Sequence, residues 1–156
     1  MRVYFETTVF NRYFEDGREH HKDTVRLFDM IKTGEIEAFT STVVLEELTP
    51  APEPKRSQMI GLVKQFGMTV LEVEQPVYDL ADVYIKMGII PAKYRRDGVH
   101  IAMASLYDLD CIVSLNYRHI NKLKTKTATE IIHRMKDYNN PYICTPMEVI
   151  KNERKF

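Results

Sequence analysis

Apolar positions fall along the chain in two kinds of pattern. Short β-prone runs stand at 3–5, 36–40, 68–73, 111–115 and 142–144. Between them lie stretches with helical spacing. Residues 19–32 place Val25, Leu27, Phe28 and Ile31 on one side, with Gly34 as a stop. Ser41 and Thr42 offer a cap ahead of 43–48. Pro50, Pro52 and Pro54 break that helix, and another is expected over 55–66. Pro76 opens a helix carrying Leu80, Ala81, Tyr84 and Ile85, which Gly88 ends. Residues 91–96 read as a basic loop, and 97–107 as a helix whose Ala102, Ala104 and Ser105 permit close approach. Further helices are expected from about 127 to 136 and from Pro146 onward. Strand and helix thus alternate from end to end, which predicts an α/β fold with a parallel sheet between helices. The run 111–115 is apolar on both faces and predicts a central strand. No repeat or flexible linker interrupts the pattern, so 1–150 reads as a single domain with 151–156 as a C-terminal tail.

Composition narrows the function classes. The chain has 156 residues, 44% of them hydrophobic, enough for a packed core and against general disorder. No apolar run is long enough to span a membrane, and the acid at position 6 argues against a signal peptide. Cys111 and Cys144 sit in apolar strands without metal-ligand spacing and read as buried reduced thiols, which points to the cytoplasm. The net charge of zero excludes bulk electrostatic coating of nucleic acid. That zero is a sum of unlike halves. Residues 1–85 carry 9 Lys and Arg against 15 Asp and Glu, a net −6; residues 86–156 carry 13 against 7, a net +6.

In open α/β sheets, ligands bind beyond the carboxyl ends of the strands. Glu6 directly follows the first strand and Asn116 the fourth. Asp97 begins the helix that leads into that fourth strand, and Glu47 lies in the helix after the second. Glu46 and Glu47 point about 100° apart, so only one of them can face a common site. Clustered carboxylates take up protons or bind a cation. Hard oxygen donors suit Mg²⁺ or Mn²⁺, which can polarise a phosphate and lower the pKa of a bound water. Read singly, each acid is also an ordinary helix cap or a solvated residue.

Four segments carry a resemblance. Val3-Tyr4-Phe5-Glu6-Thr7-Thr8 is similar to the opening of PIN-domain proteins, a strand ending in an acid. Ser41-Thr42-Val43-Val44-Leu45-Glu46-Glu47-Leu48 is similar to their second motif, with Glu47 the better match. Asp97-Gly98-Val99-His100-Ile101-Ala102-Met103-Ala104 resembles the third, Asp-Ala-x-His-Ile-Ala-x-Ala. Ile112-Val113-Ser114-Leu115-Asn116-Tyr117-Arg118-His119 is similar to the fourth, a strand ending in Asp or Asn before a basic residue and His. The four occur in the family's order over residues 1 to about 150. The resemblance, which extends to the VapC-type toxin ribonucleases, implies a PIN-like three-layer α/β/α sandwich with a mainly parallel sheet of 4–5 strands. It implies a divalent-metal-dependent endoribonuclease, the toxin of a toxin–antitoxin pair, leaving 5′-phosphate and 3′-hydroxyl ends. Glu6, Glu47, Asp97 and Asn116 would be its catalytic and Mg²⁺- or Mn²⁺-binding residues, Asp97 and Glu6 directly. It also implies an RNA substrate, a small antitoxin protein and a homodimer. The sequence departs from the pattern at Glu6, usually Asp, which is one methylene longer where shifts of about 1 Å matter.

Two basic loops flank these acids. Lys93, Arg95 and Arg96 precede Asp97; Arg118 and His119, with Lys122, Lys124 and Lys126, follow Asn116. Both are placed to grip RNA phosphates, with Tyr94 and Tyr117 as stacking candidates. Thr7 and Thr8 are candidates for orienting a carboxylate or a water. His20 and His21 are expected to face solvent, His133 to be a surface helix residue, and His100 to be packed or hydrogen-bonded. Two other readings compete. A PIN-fold RNA- or protein-binding module without catalysis would account for Glu6 and Asn116. A phospho-receiver domain wants paired acids after the first strand, and only Glu6 stands there.

Overall fold

The computed structural model describes residues 1–152. Its five strands are β1 (Arg2–Phe5), β2 (Glu37–Ser41), β3 (Thr69–Leu71), β4 (Cys111–Val113) and β5 (Tyr142–Cys144). They form one sheet in the order β3-β2-β1-β4-β5, and every pairing is parallel. Tyr4 lies between Phe39 of β2 and Ile112 of β4. The buried strands β1 and β4 read as near-continuous apolar runs because helices cover the sheet.

The helices are α1 (Thr7–Tyr13), α2 (His21–Lys32), α3 (Thr42–Leu48), α4 (Lys55–Gln65), α5 (Gln75–Lys86), α6 (Arg95–Leu106), α7 (Leu123–Met135) and α8 (Pro146–Asn152). A 3₁₀ turn at Ala92–Tyr94 leads into α6. Helices α1 to α4 pack among themselves and α8 joins them through α2, while α5 packs along α6. A cluster of Phe rings fills the first layer, with Phe28 at 5.1 Å from Phe5, 5.8 Å from Phe10 and 5.1 Å from Phe66. Such edge-on pairs stabilise beyond their buried area. Helix α6 is buried continuously from Asp97 to Ser105. Its small residues make that possible: a Cβ on Gly98 would stand 3.4 Å from the Tyr84 ring of α5.

Several expectations need correction. The sequence pattern gave no helix at 7–13, yet α1 begins directly after Glu6. Strand β4 ends at Val113, so Ser114 and Leu115 already belong to the loop. Helix α6 starts at Arg95, inside the expected basic loop, and α7 starts at Leu123, four residues before the expected 127. Helix α8 runs through Lys151 and Asn152, the first residues of the expected tail. Residues 153–156 of that tail lie outside the described residues. No described helix is long and apolar enough to cross a membrane.

Strand order singles out one crevice. Successive strands are added outward from β1 through β2 to β3; the chain then returns to place β4 on the other side of β1. The crevice at such a reversal, at the carboxyl ends of β1 and β4, is where open α/β sheets bind ligands.

Candidate active site

Glu6 is the first residue beyond β1 and the N-cap of α1. Its Oε1 accepts from Thr8 N (3.2 Å), Thr8 Oγ1 (2.5 Å) and Ser114 Oγ (2.7 Å). Thr8 Oγ1 in turn accepts from Leu115 N at 2.8 Å, and Ser114 Oγ from Asn116 N at 3.0 Å. The cap of α1 is thereby tied to the end of β4. Glu6 is only 3% exposed. Burial pushes its carboxyl above the usual range and outweighs the opposing pull of His100, Thr8 and Ser114.

Glu47 enters from α3, which Ser41 caps by accepting from Val44 N. Its Oε1 accepts from Thr7 Oγ1 at 2.9 Å and from His100 Nε2 at 2.5 Å. Burial would raise this carboxyl, but the hydrogen bond and charge of His100, together with Thr7 and Arg96, hold it below the usual range. Glu46 turns outward and pairs with Arg96 at 3.5 Å. Asp97 sits buried in the first turn of α6, three residues past the cap position. Burial raises its carboxyl, against His100, His119 and a hydrogen bond from Asn116; Glu47 adds to the rise. Asn116 Oδ1 accepts from His119 N at 3.0 Å. Glu6, Glu47 and Asp97 therefore share one field.

His100 lies at the centre, fully buried. Burial lowers its pKa, but Glu47, Glu6 and Asp97 outweigh burial and raise it. Its Nδ1 meets Tyr4 Oη at 2.6 Å, and Tyr4 Oη meets Ser41 Oγ at 2.7 Å. The expected hydrogen-bonded role is what the ring has. Tyr4 and Ser114 were not among the site residues expected from the sequence, and Ser41 was expected only as a helix cap; their signal for the site was a polar atom at or beside the end of a buried strand.

The basic loops divide. Tyr94 stacks on His119, with ring centres 4.2 Å apart and planes at 31°. Lys93 Nζ and the Arg118 guanidinium lie 5.8 and 5.5 Å from the Tyr94 ring centre. Arg95 turns away, gripping Asp82 at 2.8 and 3.1 Å and covering Tyr78. Arg95 and Arg96 thus line a groove of about 340 Å³ with Glu46 and Tyr78, apart from Lys93, Arg118 and His119. Tyr117 contacts His20, Oη to Nε2, at 3.1 Å.

Two histidine expectations are overturned. His20 and His21 are half-buried, His21 Nδ1 lying 2.9 Å from Arg12 O. His133 is fully buried, with Nε2 at 2.5 Å from Tyr84 Oη and Nδ1 at 2.8 Å from Asn140 Oδ1. Cys111 and Cys144 are free and buried.

Among the described residues, no three His, Cys, Asp or Glu side chains converge into a ready-made metal shell. The donors still fit a hydrated Mg²⁺ or Mn²⁺. They are hard oxygens, and burial leaves Glu6 and Asp97 in need of a proton or a cation. The hydrogen bonds to Glu6 and to Glu47 all fall on Oε1, leaving each second oxygen outside them. Mg²⁺ keeps much of its water and needs only one or two carboxylates.

No protein-family model and no curated protein sequence matches the chain. Solved structures do. The structure of VapBC2 from Rickettsia felis bound to a DNA fragment from their promoter aligns at TM-score 0.59 and 10% identity, covering 93% of this chain and 98% of that one. Mycobacterium tuberculosis VapC20, a Sarcin-Ricin loop cleaving toxin, aligns at TM-score 0.56 and 12% identity, covering 75% and 92%. At these identities the likeness is one of fold, and this chain has the PIN-like α/β fold of the VapC-type structures.

Proposed function

We propose that this chain is a divalent-metal-dependent endoribonuclease acting as the toxin of a toxin–antitoxin pair. The observation that carries the reading is that Glu6, Glu47 and Asp97, from three distant segments, all act on one buried histidine, His100. Asp97 and Glu6 would hold Mg²⁺ or Mn²⁺, with Glu47 and Asn116 holding it directly or through water. Bound there, the ion would polarise a phosphate and supply an activated water. Thr8 and Ser114 orient Glu6, and Thr7 and His100 orient Glu47. Lys93, Arg118 and His119, gathered at Tyr94 beside Asp97, would take the RNA backbone; Arg95 and Arg96 would serve it only by leaving their acidic partners. The fold neighbours, one a VapBC complex and one an RNA-cleaving toxin, support an antitoxin partner and an RNA substrate. A homodimer in the cytoplasm completes the proposal.

The test is cleavage of single-stranded RNA with and without Mn²⁺, by wild type and Asp97→Asn. Metal-dependent cleavage lost in the variant supports the reading; equal residual cleavage by both sinks it. One feature favours the second reading, a non-catalytic PIN-fold binding module: Glu47 pairs with an internal histidine, and among the described residues the acids form no metal shell. RNA or protein binding that is indifferent to metal and to Asp97→Asn would establish it.

A further inference from the structure

We infer that Tyr4 and His100 are positioning residues of the acid site: Tyr4 fixes the His100 ring, and His100 fixes Glu47 for a divalent ion. The inference rests on the proposed metal-dependent reading. Carboxylate oxygens only accept, so in the 2.5 Å contact His100 Nε2 is the donor and Glu47 Oε1 the acceptor. The opposite ring nitrogen meets Tyr4 Oη at 2.6 Å, and Ser41 Oγ meets the same hydroxyl at 2.7 Å. Tyr4, Ser41 and His100 are all fully buried. They come from β1, the end of β2 and α6, so the chain of bonds ties three elements to one carboxylate. With Oε1 also held by Thr7, rotation of the Glu47 carboxylate is blocked and its second oxygen has a fixed direction.

Packing alone does not ask for this arrangement, because a phenylalanine at position 4 would fill the same core. A polar pair this deep is stable only when fully bonded, and here its bonds end on an acid of the site. The molecule holds its own comparison. Tyr84 Oη meets His133 Nε2 at 2.5 Å, equally deep, but the other ring nitrogen of His133 ends on Asn140. Partners behind a metal ligand typically contribute 10–100-fold to metal affinity.

Calorimetric titration with Mn²⁺ of the full chain tests this, with wild type, Tyr4→Phe, His100→Leu, His100→Gln and Tyr84→Phe compared, and folding checked by circular dichroism. Tyr4→Phe and His100→Leu are expected to weaken Mn²⁺ binding roughly 10-fold or more. His100→Gln, which keeps an amide donor, recovers part of the loss. Tyr84→Phe, which breaks a matched Tyr–His bond away from the acids, binds Mn²⁺ as wild type does. Wild-type affinity in folded Tyr4→Phe and His100→Leu overturns the inference alone. If neither folds, His100→Gln decides: Mn²⁺ affinity below that of both wild type and Tyr84→Phe upholds the positioning role, and affinity equal to both overturns it. A wild type that binds no Mn²⁺ overturns the metal-dependent reading and this inference with it.

Discussion

Replacing Glu6 by Gln separates what its carboxylate does for folding from what it does for a cation. Three donors converge on Oε1, and a Gln side-chain oxygen can accept all three. The bonds weaken, since those to a charged acceptor contribute about 1.5–3 kcal/mol and those to a neutral one about 0.5–1.5. Burial of the charge acts the other way, and the raised pKa says that burial wins. A carboxyl whose folded pKa is raised stabilises the fold at low pH and loses that contribution as pH rises through the folded value. At neutral pH, without metal, Glu6→Gln should therefore melt at or above the wild-type temperature. Mn²⁺ reverses the order. At 100 times its Kd, a ligand that binds only the folded state adds about 2.7 kcal/mol, or roughly 5–11 °C for a chain of this size. The wild type should gain that shift and Glu6→Gln should lose most of it. Differential scanning fluorimetry at pH 7 with and without Mn²⁺ reads both. A metal-free Glu6→Gln that melts well below wild type, or that gains the same shift from Mn²⁺, would refute the reasoning.

Other predictions follow from single contacts. Gly98→Ala should stabilise the protein by roughly 0.5–1 kcal/mol in urea unfolding, because α6 gains helix propensity and the added Cβ meets Tyr84 only at van der Waals distance, 3.4 Å. Burial holds the His133 imidazole below the usual histidine range; its contribution to stability is complete above the ordinary value of about 6.5 and is lost as pH falls below it. His133→Gln should therefore flatten the dependence of stability on pH below about 6.5, measured by chemical unfolding across the range. Lys93→Ala and Arg118→Ala should each weaken RNA binding and reduce its logarithmic salt slope by about 1, read by fluorescence anisotropy. Arg95→Ala should change the slope less, since Asp82 already holds that guanidinium.

The alternation of strands and helices was legible because parallel strands covered on both faces leave short apolar runs that nothing else in the chain imitates. Helix α7 was expected, but with its start four residues late and His133 at the surface, and its residues show why. Its buried face is Thr125, Thr129, Ile132 and His133, while Leu123, Ile131 and Met135 face solvent. The two threonines are buried because their hydroxyls bond to His119 O at 2.7 Å and to Thr125 O at 2.8 Å. A pattern that equates apolar with inside therefore points the helix the wrong way and misplaces His133. Helix α1 escaped for another reason: seven residues show no clear period, and Glu is an uncommon cap. Glu6 and Asn116 were expected at one edge because each comes just after a strand of a parallel sheet. The Tyr4–His100 contact spans 96 positions, and no local pattern encodes it.

The division of charge along the chain takes on a different meaning at the site. The acidic half supplies Glu6 and Glu47, the basic half Asp97, Asn116 and the cations around Tyr94. These charges are not spread over a surface. All three acids act on one buried histidine, and the histidine pairs with Glu47 alone. Glu47 is thereby the one acid held below the usual range, while Glu6 and Asp97 stay above it. Of the three acids, His100 is hydrogen-bonded to Glu47 alone, which leaves Glu6 and Asp97 as the carboxyls that burial raises. On the proposed metal-dependent reading, the carboxylates of Glu6 and Asp97 should therefore respond most to Mn²⁺, and that of Glu47, already partnered, least.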